Sequence, residues 1–506
     1  MHRFHGELGA LAGALETLAA AFADLPPFAS AEPDLTAILQ EAAARLRDNY
    51  PYFHPLYAGQ MLKPPHTAAR LAYALAMTIN PNNHALDGGR ASSEMEKEAV
   101  AQIAAMFGWT TCLGHLCGGG TMANLEALWI ARELDAESAR SVGLAPSGVA
   151  AHSDSASRSA PAAPPSTAAD AALAAYAVAS AGGGSSAPGP RAIAASTQAH
   201  YTHSRLSGVL GVPFEAIPSD RRGRMDVGAL ESRLKAGGIG TVVATMGTTA
   251  TGAVDPLPEL LDLRDRYGFR LHADAAYGGY FTLAGNLAAD ARAAFDRIGE
   301  ADSIVVDPHK HGLQPYGCGC ILFRDPSVGS FYKHDSPYTY FSSGALHLGE
   351  ISLECSRPGA AAVALWTTLR LLPLERGGDF ATGLERGRTA ALRLHERLRA
   401  DRRFLAAFPP ELDIVAWLPR AASLSEASRR TQQIFDVAAG LGLHLALAEL
   451  PAAFFDLEGV AVDRETALCL RSVLMKPEHL EWLDEIWRLL DVAADSPRIS
   501  GACSRK

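Results

Sequence analysis

Residues 303–312 read SIVVDPHKHG. Ser303–Val306 is a short apolar run that predicts a buried strand, and Lys310 follows its end. An ammonium at this position is costly to desolvate unless it is paired or used covalently. A lysine that reaches solvent is the structural alternative. A zinc site on His309 and His311 is excluded, because the sequence offers no third ligand.

A carboxylate follows a second predicted strand, earlier in the chain. Residues 272–279 read HADAAYGG, and Asp274 stands 36 residues before Lys310, an interval that suits one crossover between parallel strands. Pyridoxal 5'-phosphate (PLP) needs a carboxylate opposite its ring nitrogen and a lysine that forms a Schiff base with its aldehyde. The small Ala276 would let the flat ring lie against the backbone. Taken alone, Asp274 also fits a loop cap.

Two more segments offer groups that this cofactor needs. Residues 118–124, GGGTMAN, open a predicted helix, where glycine N–H groups and the helix N-terminus favour a phosphate. A plain tight turn is the alternative, and the lack of a following Gly-Lys-Ser/Thr excludes a P-loop. His200 follows the apolar run Ile193–Ala195 and is placed to stack on the cofactor, although a lone histidine is often structural. Together the four segments meet the requirements of PLP.

Apolar runs alternate with helical segments between residues 86 and 375. The predicted strands are Ile193–Ala195, Val242–Thr245, Arg270–Ala273, Ser303–Val306 and Gly319–Phe323. Helices such as Pro258–Tyr267 fall between some of them. This alternation predicts an α/β fold with a mainly parallel sheet and helices on both faces. Ligands in such sheets bind beyond the carboxyl ends of the strands, which is where the four segments lie.

The chain is predicted to form three units. Residues 1–85 form an N-terminal helical arm for dimerisation, residues 86–375 the large cofactor-binding domain, and residues 376–506 a small C-terminal α+β domain. The arm has little core of its own, and its apolar residues recur at helical spacing: Leu35, Ile38, Leu39, Ala42 and Leu46. Residues 140–190, rich in Ala, Ser, Pro and Gly, are predicted to be a flexible surface insertion. Ser93 and Glu96 predict a capping box.

Composition narrows the possible functions. The formal net charge of -10 excludes a general role in binding nucleic acid or acidic membranes. The sequence shows no signal-type start and no uncharged apolar stretch of ~18 residues, so we expect no membrane span and a cytoplasmic location. The seven cysteines have no metal-binding spacing, and free buried thiols are expected.

In these motifs the sequence resembles the group II PLP-dependent amino-acid decarboxylases of fold type I. Among these enzymes, its likeness to the bacterial tyrosine decarboxylases is the strongest. Five segments carry the general likeness: Gly119–Leu125, Gln198–Thr202, Thr248–Asp255, His272–Gly279 and Asp307–Gly312. Four more carry the closer one: Tyr57–His66, Asn80–Gly89, Met95–Phe107 and Cys355–Leu374. The likeness runs from about residue 50 to 375, and more thinly to about 475. It implies a seven-stranded type of sheet, PLP as cofactor, and a homodimer with active sites at the interface.

The resemblance also implies roles for individual residues. Lys310 forms the internal aldimine, Asp274 pairs with the pyridinium nitrogen, and His200 stacks on the ring. The remaining cofactor contacts that it implies are Gly119, Gly120, Thr121, Thr248, Ala276 and His309. Gln60 and Arg357 are placed like residues that contact substrate. Arg357 departs from the lysine usual in tyrosine decarboxylases, and Gly118 stands where a serine is usual, so the substrate is the least determined part of the resemblance.

The expected reaction is decarboxylation of an L-amino acid to an amine, with an aromatic substrate such as tyrosine. A proton must then reach Cα, and the candidate donors are Tyr338 and Tyr340 in a mobile loop, and Tyr316. Aromatic packing is the alternative for all three tyrosines. Decarboxylation of aspartate or glutamate is the alternative reaction, and a non-catalytic PLP-binding protein is the alternative of another class. The intact lysine, aspartate and histidine argue against the latter.

Overall fold

A seven-stranded sheet forms the centre of the large domain in a computed structural model that describes residues 4–26, 34–85, 87–141, 190–333 and 348–496. In chain order its strands are β1 (Leu113–Cys117), β2 (Ala192–Ser196), β3 (Phe214–Ile217), β4 (Ile239–Thr245), β5 (Arg270–Asp274), β6 (Ser303–Val306) and β7 (Gly319–Phe323). The spatial order is β1-β7-β6-β5-β4-β2-β3. Strands β3, β2, β4, β5 and β6 are parallel, and β7 is antiparallel to both of its neighbours. The predicted α/β fold with a mainly parallel sheet is confirmed.

Burial explains why these segments form strands without an alternating pattern. All seven residues of β4 and all four of β6 are buried, as expected for a parallel sheet that is covered on both faces. The helices of this part of the chain are α4 (Arg90–Met106), α5 (Gly120–Ser141), α6 (Thr202–Leu210), α7 (Val227–Lys235), α8 (Leu257–Tyr267), α9 (Ala289–Asp296) and α10 (Gly359–Leu371). The covered sheet holds the loops at its carboxyl edge in fixed positions.

A second, antiparallel sheet follows in the chain. It has the order β10-β11-β9-β8 and consists of β8 (Phe404–Ala406), β9 (Ile414–Pro419), β10 (Ala446–Pro451) and β11 (Thr466–Val473). Helices α11 (Asp379–Ala400), α12 (Leu424–Gly440) and α13 (His479–Asp495) belong to the same region. Trp417 of β9 is fully buried in its core with Leu394, Leu470 and Ile486.

The N-terminal segment contains α1 (Phe4–Ala20), α2 (Thr36–Leu46) and α3 (Thr67–Met77). Helix α3 packs against α10, whereas α2 has no buried residue. Its apolar residues Ile38, Leu39 and Leu46 are each more than 60% exposed. The described part of the chain therefore leaves an apolar helix without a partner.

The local and domain-level expectations from the sequence have different outcomes in the structure. The predicted capping box is wrong: α4 begins at Arg90 after Gly89, and Ser93 and Glu96 are buried inside the helix. Most of the predicted insertion, residues 142–189, lies outside the described residues. The boundaries of the three predicted units stay a prediction. Among the described helices, none is both long and apolar enough to cross a membrane.

Candidate active site

A cavity of about 520 Å³ opens at the carboxyl edge of the central sheet. The loops that follow β1, β2, β4, β5 and β6 all contribute to its lining. They bring together the four groups that were singled out in the sequence, namely the glycine loop, His200, Asp274 and Lys310. Strand ends that are distant in sequence therefore meet at one site, as expected for a parallel sheet.

Lys310 extends into this cavity from the turn after β6. Its Nζ lies 3.1 Å from Oδ2 of Asp307, a carboxylate that is almost fully buried. This ion pair offsets the cost of placing an ammonium at the end of a buried strand. The carboxylate also lies against the glycine loop, where a Cβ added to Gly120 would stand 2.7 Å from Asp307 Oδ2. Glycine at position 120 is therefore required by the close approach of Asp307.

Asp274 ends β5 and is 6% exposed, on the cavity wall. Its Oδ2 lies 2.8 Å from Nε2 of His203, and its Oδ1 accepts a hydrogen bond from the backbone N–H of Ala276 at 3.1 Å. Burial by itself raises the pKa of Asp274, but the hydrogen bond from His203 and the electrostatic effects of His203, His272 and Lys310 outweigh it and hold this pKa below its usual range. The group is therefore a carboxylate at neutral pH.

His272 lies two residues before Asp274 and is also buried. Its Nε2 lies 2.8 Å from Oδ1 of Asn124, and its Nδ1 lies 2.9 Å from Oγ of Ser303. Burial lowers the pKa of His272 to about 3, against the opposing effect of Asp274. This imidazole is therefore neutral, and it connects the first turn of α5 to β5 and β6.

His200 lies in the turn between β2 and α6. Its Nδ1 accepts a hydrogen bond from the backbone N–H of Thr202 at 3.3 Å, and its ring packs against Tyr201 at 4.3 Å between centroids. Burial lowers the pKa of His200, and the neighbouring Asp274 only partly opposes this effect. A neutral flat ring at the cavity wall is suited to stacking on an aromatic group.

The glycine loop forms the anion-binding end of the cavity. Gly119 has φ +145°, a conformation that side chains rarely adopt, and a Cβ on Gly319 would stand 2.6 Å from Gly119. Helix α5 begins at Gly120, and Thr121 lies in its first turn. The backbone N–H of Gly118 donates to the Glu354 carboxylate at 2.8 Å, so the loop already binds one anionic group.

The other predicted cofactor residues divide into two groups. Ala276 and His309 line the cavity, and Nδ1 of His309 lies 2.8 Å from the carbonyl oxygen of Cys318. Thr248 is not among the lining residues. It is fully buried, its Oγ1 accepts from the N–H of Ala253 at 3.1 Å, and it closes a turn whose neighbour Thr249 reaches the cavity instead.

Arg357 is not among the cavity-lining residues. Its Nη1 donates to Oε1 of Glu96 and to the carbonyl oxygen of Leu116, both at 2.6 Å, and its Nη2 donates to the carbonyl oxygen of Asn83 at 3.2 Å. Both members of the ion pair are buried. The predicted substrate contact by Arg357 is therefore not what the geometry favours, since its guanidinium joins α4 to the end of β1.

Arg471, which the sequence did not single out, is also buried and, like Arg357, is not among the cavity-lining residues. Arg471 of β11 is 4% exposed, and its Nε and Nη2 have no hydrogen-bond partner among the described residues. Its Nη1 donates to Oε1 of Gln60 at 3.2 Å, which connects it to a predicted substrate residue. It also lowers the pKa of Tyr277, a cavity residue, although burial has the larger effect and raises that pKa. Buried arginine nitrogens without a hydrogen-bond partner are a feature of binding sites for anionic groups. This feature of Arg471 depends on the folded structure and has no counterpart in the local sequence.

The predicted proton donors are only partly described. Tyr338 and Tyr340, with the loop that carries them, lie outside the described residues. Tyr316 is 58% exposed, donates to the carbonyl oxygen of Met61 at 3.4 Å, and packs on His309 with ring centroids 5.0 Å apart. Of the three candidates, Tyr316 is therefore next to a cavity residue but is not itself part of the lining.

Comparison with known proteins agrees with this site. A family model for the pyridoxal-dependent decarboxylase conserved domain matches residues 188–418. An L-tyrosine decarboxylase of Enterococcus faecium is 30% identical over 401 residues, 70% of this chain and 66% of that protein. An aspartate 1-decarboxylase of Aliivibrio fischeri is 33% identical over 263 residues, 49% of this chain and 41% of that protein. The chain covers just under two thirds of the length of the tyrosine decarboxylases that it matches.

The fold has close counterparts among solved structures. The crystal structure of Oryza sativa TDC with PLP and tryptamine superposes with a TM-score of 0.71 at 17% identity, covering 98% of this chain and 99% of that one. This likeness shows the fold, and the family model shows that residues 188–418 are similar to the pyridoxal-dependent decarboxylase conserved domain. The chain is similar to the bacterial tyrosine decarboxylases, and the resemblance seen in the sequence is confirmed.

The cavity residues fit the family's cofactor, PLP. The glycine loop opens helix α5 at the cavity, where its backbone N–H groups are suited to a phosphate, and Gly120 is packed so closely that a Cβ there would collide with Asp307. Lys310 offers an amino group to an aldehyde, and Asp274 offers an anionic oxygen to a protonated ring nitrogen. His200 would cover the face of the ring.

Proposed function

We propose that this protein is a PLP-dependent decarboxylase that converts an L-amino acid to the amine and carbon dioxide. One observation carries the proposal: Lys310 and Asp274 line the same cavity, with Asp274 held as a carboxylate. When bound, PLP accepts the electron pair that is released as the bond between Cα and the carboxylate breaks. Asp274 would keep the ring nitrogen protonated, and Lys310 would hold the cofactor until substrate arrives.

Arg471 and Gln60 are the proposed contacts for the substrate carboxylate. The two spare nitrogens of the guanidinium are suited to a carboxylate, and burial strengthens such a charge-assisted pair. Tyr277 lines the cavity and its hydroxyl donates to Oδ1 of Asp413 at 2.5 Å, and Asp413 in turn is affected by the charge of Arg471. This arrangement would orient the carboxylate and exclude water from it.

Tyrosine is the first candidate substrate, because the tyrosine decarboxylases match over most of the chain. Aspartate is the second, because an aspartate decarboxylase is slightly more identical over a shorter stretch. The test is a screen of purified protein with PLP against tyrosine, phenylalanine, tryptophan, DOPA, aspartate and glutamate, with detection of the amine product. Amine from tyrosine alone supports the first assignment. Uptake of PLP with no amine from any of the six would refute decarboxylation of these amino acids.

The proton that replaces the carboxylate is proposed to come from Tyr338 or Tyr340, with Tyr316 as the third candidate. Single replacements by phenylalanine remove the hydroxyl and keep the ring, so a donor variant should lose amine formation while PLP binding is retained. If all three variants form amine at the parent rate, the proton has another source.

We also propose a homodimer. The apolar face of α2 is exposed in the single chain and is suited to burial against a second copy. Static light scattering gives the molar mass directly. A cytoplasmic location is proposed with it, because the six cysteines in the described part of the chain are all free, as is usual in a reducing compartment.

A further inference from the structure

We propose that His203 is a positioning residue for the cofactor: its Nε2–H holds Asp274 in the orientation and charge state that keep the cofactor's ring nitrogen protonated. This inference rests on the proposed cofactor site, and it assigns a role to a histidine that no motif singled out.

The geometry gives His203 one strong contact. Its Nε2 lies 2.8 Å from Oδ2 of Asp274, and the imidazole is fully buried. The only other hydrogen-bond donor to Asp274 within the described residues is the backbone N–H of Ala276, on the other oxygen at 3.1 Å. His272, the nearest alternative, is already bonded to Asn124 and Ser303. Asp274 therefore depends on His203 for its one side-chain hydrogen bond.

The position of His203 follows from the first turn of α6. His200 and His203 are one turn apart, and the N–H of His203 donates to the carbonyl oxygen of His200 at 3.2 Å. The Oγ of Ser207 donates to the carbonyl oxygen of His203 at 2.9 Å, which fixes the backbone of that turn. The same turn thus places one imidazole on the cavity wall and the other behind Asp274.

The unpartnered ring nitrogen of His203, Nδ1, indicates that the other nitrogen, Nε2, donates the hydrogen bond to Asp274. Its Nδ1 is buried and has no hydrogen-bond partner in the described part of the chain. An unpaired acceptor nitrogen in an apolar setting costs less than an unpaired N–H, so the proton belongs on Nε2, facing the carboxylate. Each oxygen of Asp274 accepts a single protein hydrogen bond, which leaves lone pairs for a ring N–H.

If His203 only stabilised the fold, its replacement would not change the protonation of the cofactor's ring nitrogen. The test therefore measures the bound cofactor itself. The variants are His203→Leu, which removes the donor, His203→Asn, which is polar but too short, and His203→Gln, which keeps a donor of similar reach. His395→Gln is the matched control, because His395 is also buried with a single bond, from Nε2 to the carbonyl oxygen of Ala407 at 3.0 Å.

Two measurements are made on each full-length protein: the dissociation constant of PLP by equilibrium dialysis, and the ¹⁵N chemical shift of the ring nitrogen of bound, ¹⁵N-labelled PLP. Loss of a hydrogen bond to a charged group predicts about 10- to 100-fold weaker binding in His203→Leu and His203→Asn. The ring-nitrogen shift should move toward the unprotonated value. His203→Gln should stay within about threefold of the parent, and His395→Gln should be unchanged.

The outcomes separate this inference from the site assignment. If the parent protein takes up no PLP, the proposed cofactor site is wrong. If the parent binds PLP and either His203→Leu or His203→Asn binds it equally well with an unmoved ¹⁵N shift, the site stands and the role of His203 is refuted. Equal losses in His203→Gln and His203→Leu would also refute it, because a donor would then make no difference.

Discussion

The contacts of Arg357 yield a prediction in which a structural role and a substrate role have opposite consequences. In the structure its guanidinium is bonded to Glu96 and to two backbone carbonyl oxygens, with both side chains buried. Glu96 in turn accepts from Asn83 Nδ2 at 2.6 Å and from the N–H of Leu116 at 3.0 Å. Arg357→Met would keep much of the volume and leave the Glu96 carboxylate buried without its cation.

The size of the effect follows from that uncompensated charge. Removal of one partner of a buried ion pair typically costs about 3–5 kcal/mol. A surface pair offers the matched control, since Arg370 and Glu98 lie 3.3 Å apart with both side chains more than half exposed. Arg370→Met should therefore cost at most about 1 kcal/mol. The double variant Glu96→Gln, Arg357→Met should recover part of the loss, because no buried charge remains unpaired.

The assay is urea unfolding of the PLP-loaded protein followed by circular dichroism, with kcat/KM measured below the transition. We expect a clear drop of the midpoint in Arg357→Met and unchanged KM in whatever protein stays folded. A variant that is as stable as the parent but has a strongly raised KM would show that the guanidinium contacts substrate and that the ion pair is not its main role.

Three further predictions concern the cavity. Lys310→Ala should abolish the visible absorbance of the PLP-loaded protein near roughly 420 nm, because no amino group is left to bind the aldehyde; a yellow variant would refute the assignment of Lys310. Gly120→Ala should weaken PLP binding by at least about tenfold, since its Cβ would stand 2.7 Å from Asp307 Oδ2. Dialysis against PLP measures the dissociation constant. Gly208→Ala is the control, because a Cβ at position 208 meets nothing within 4 Å. Arg471→Met should lower kcat/KM about 100-fold or more while PLP binding is kept, because a buried carboxylate would lose charge-assisted hydrogen bonds; an unchanged kcat/KM would contradict the carboxylate role.

The sequence was most informative where one short segment carries both structure and chemistry. Ser303–Val306 was predicted as a strand with its observed bounds, because Ser303 and three consecutive β-branched apolar residues precede Asp-Pro. Strand β4 begins three residues before its predicted start at Val242, since Ile239-Gly240-Thr241 lacks the continuous apolar run. Strand β1, Leu113–Cys117, was missed because its glycine and histidine interrupt the pattern, and only pairing with β7 defines it.

Side-chain partners are what the sequence left open. Glu96 looked like a capping residue from its distance to Ser93, yet it is buried and holds Arg357, which lies 261 residues away. His203 carried no signal beside His200, because its importance comes from a contact with Asp274 made across the sheet. Both contacts join residues that the fold alone brings together, and local spacing contains no information about them.

Charge pairing differs between the proposed cofactor residues and the proposed substrate contact. Lys310 is paired with Asp307, and Asp274 is bonded to His203, so both are neutralised or stabilised before any ligand arrives. Arg471 has two buried nitrogens without a hydrogen-bond partner in the described residues, whereas Arg357 has one. Burial of hydrogen-bond donors without partners costs folding free energy, and such donors occur at sites where a ligand accepts their hydrogen bonds. The unpaired donors of Arg471 support the proposal that it binds the carboxylate of the substrate.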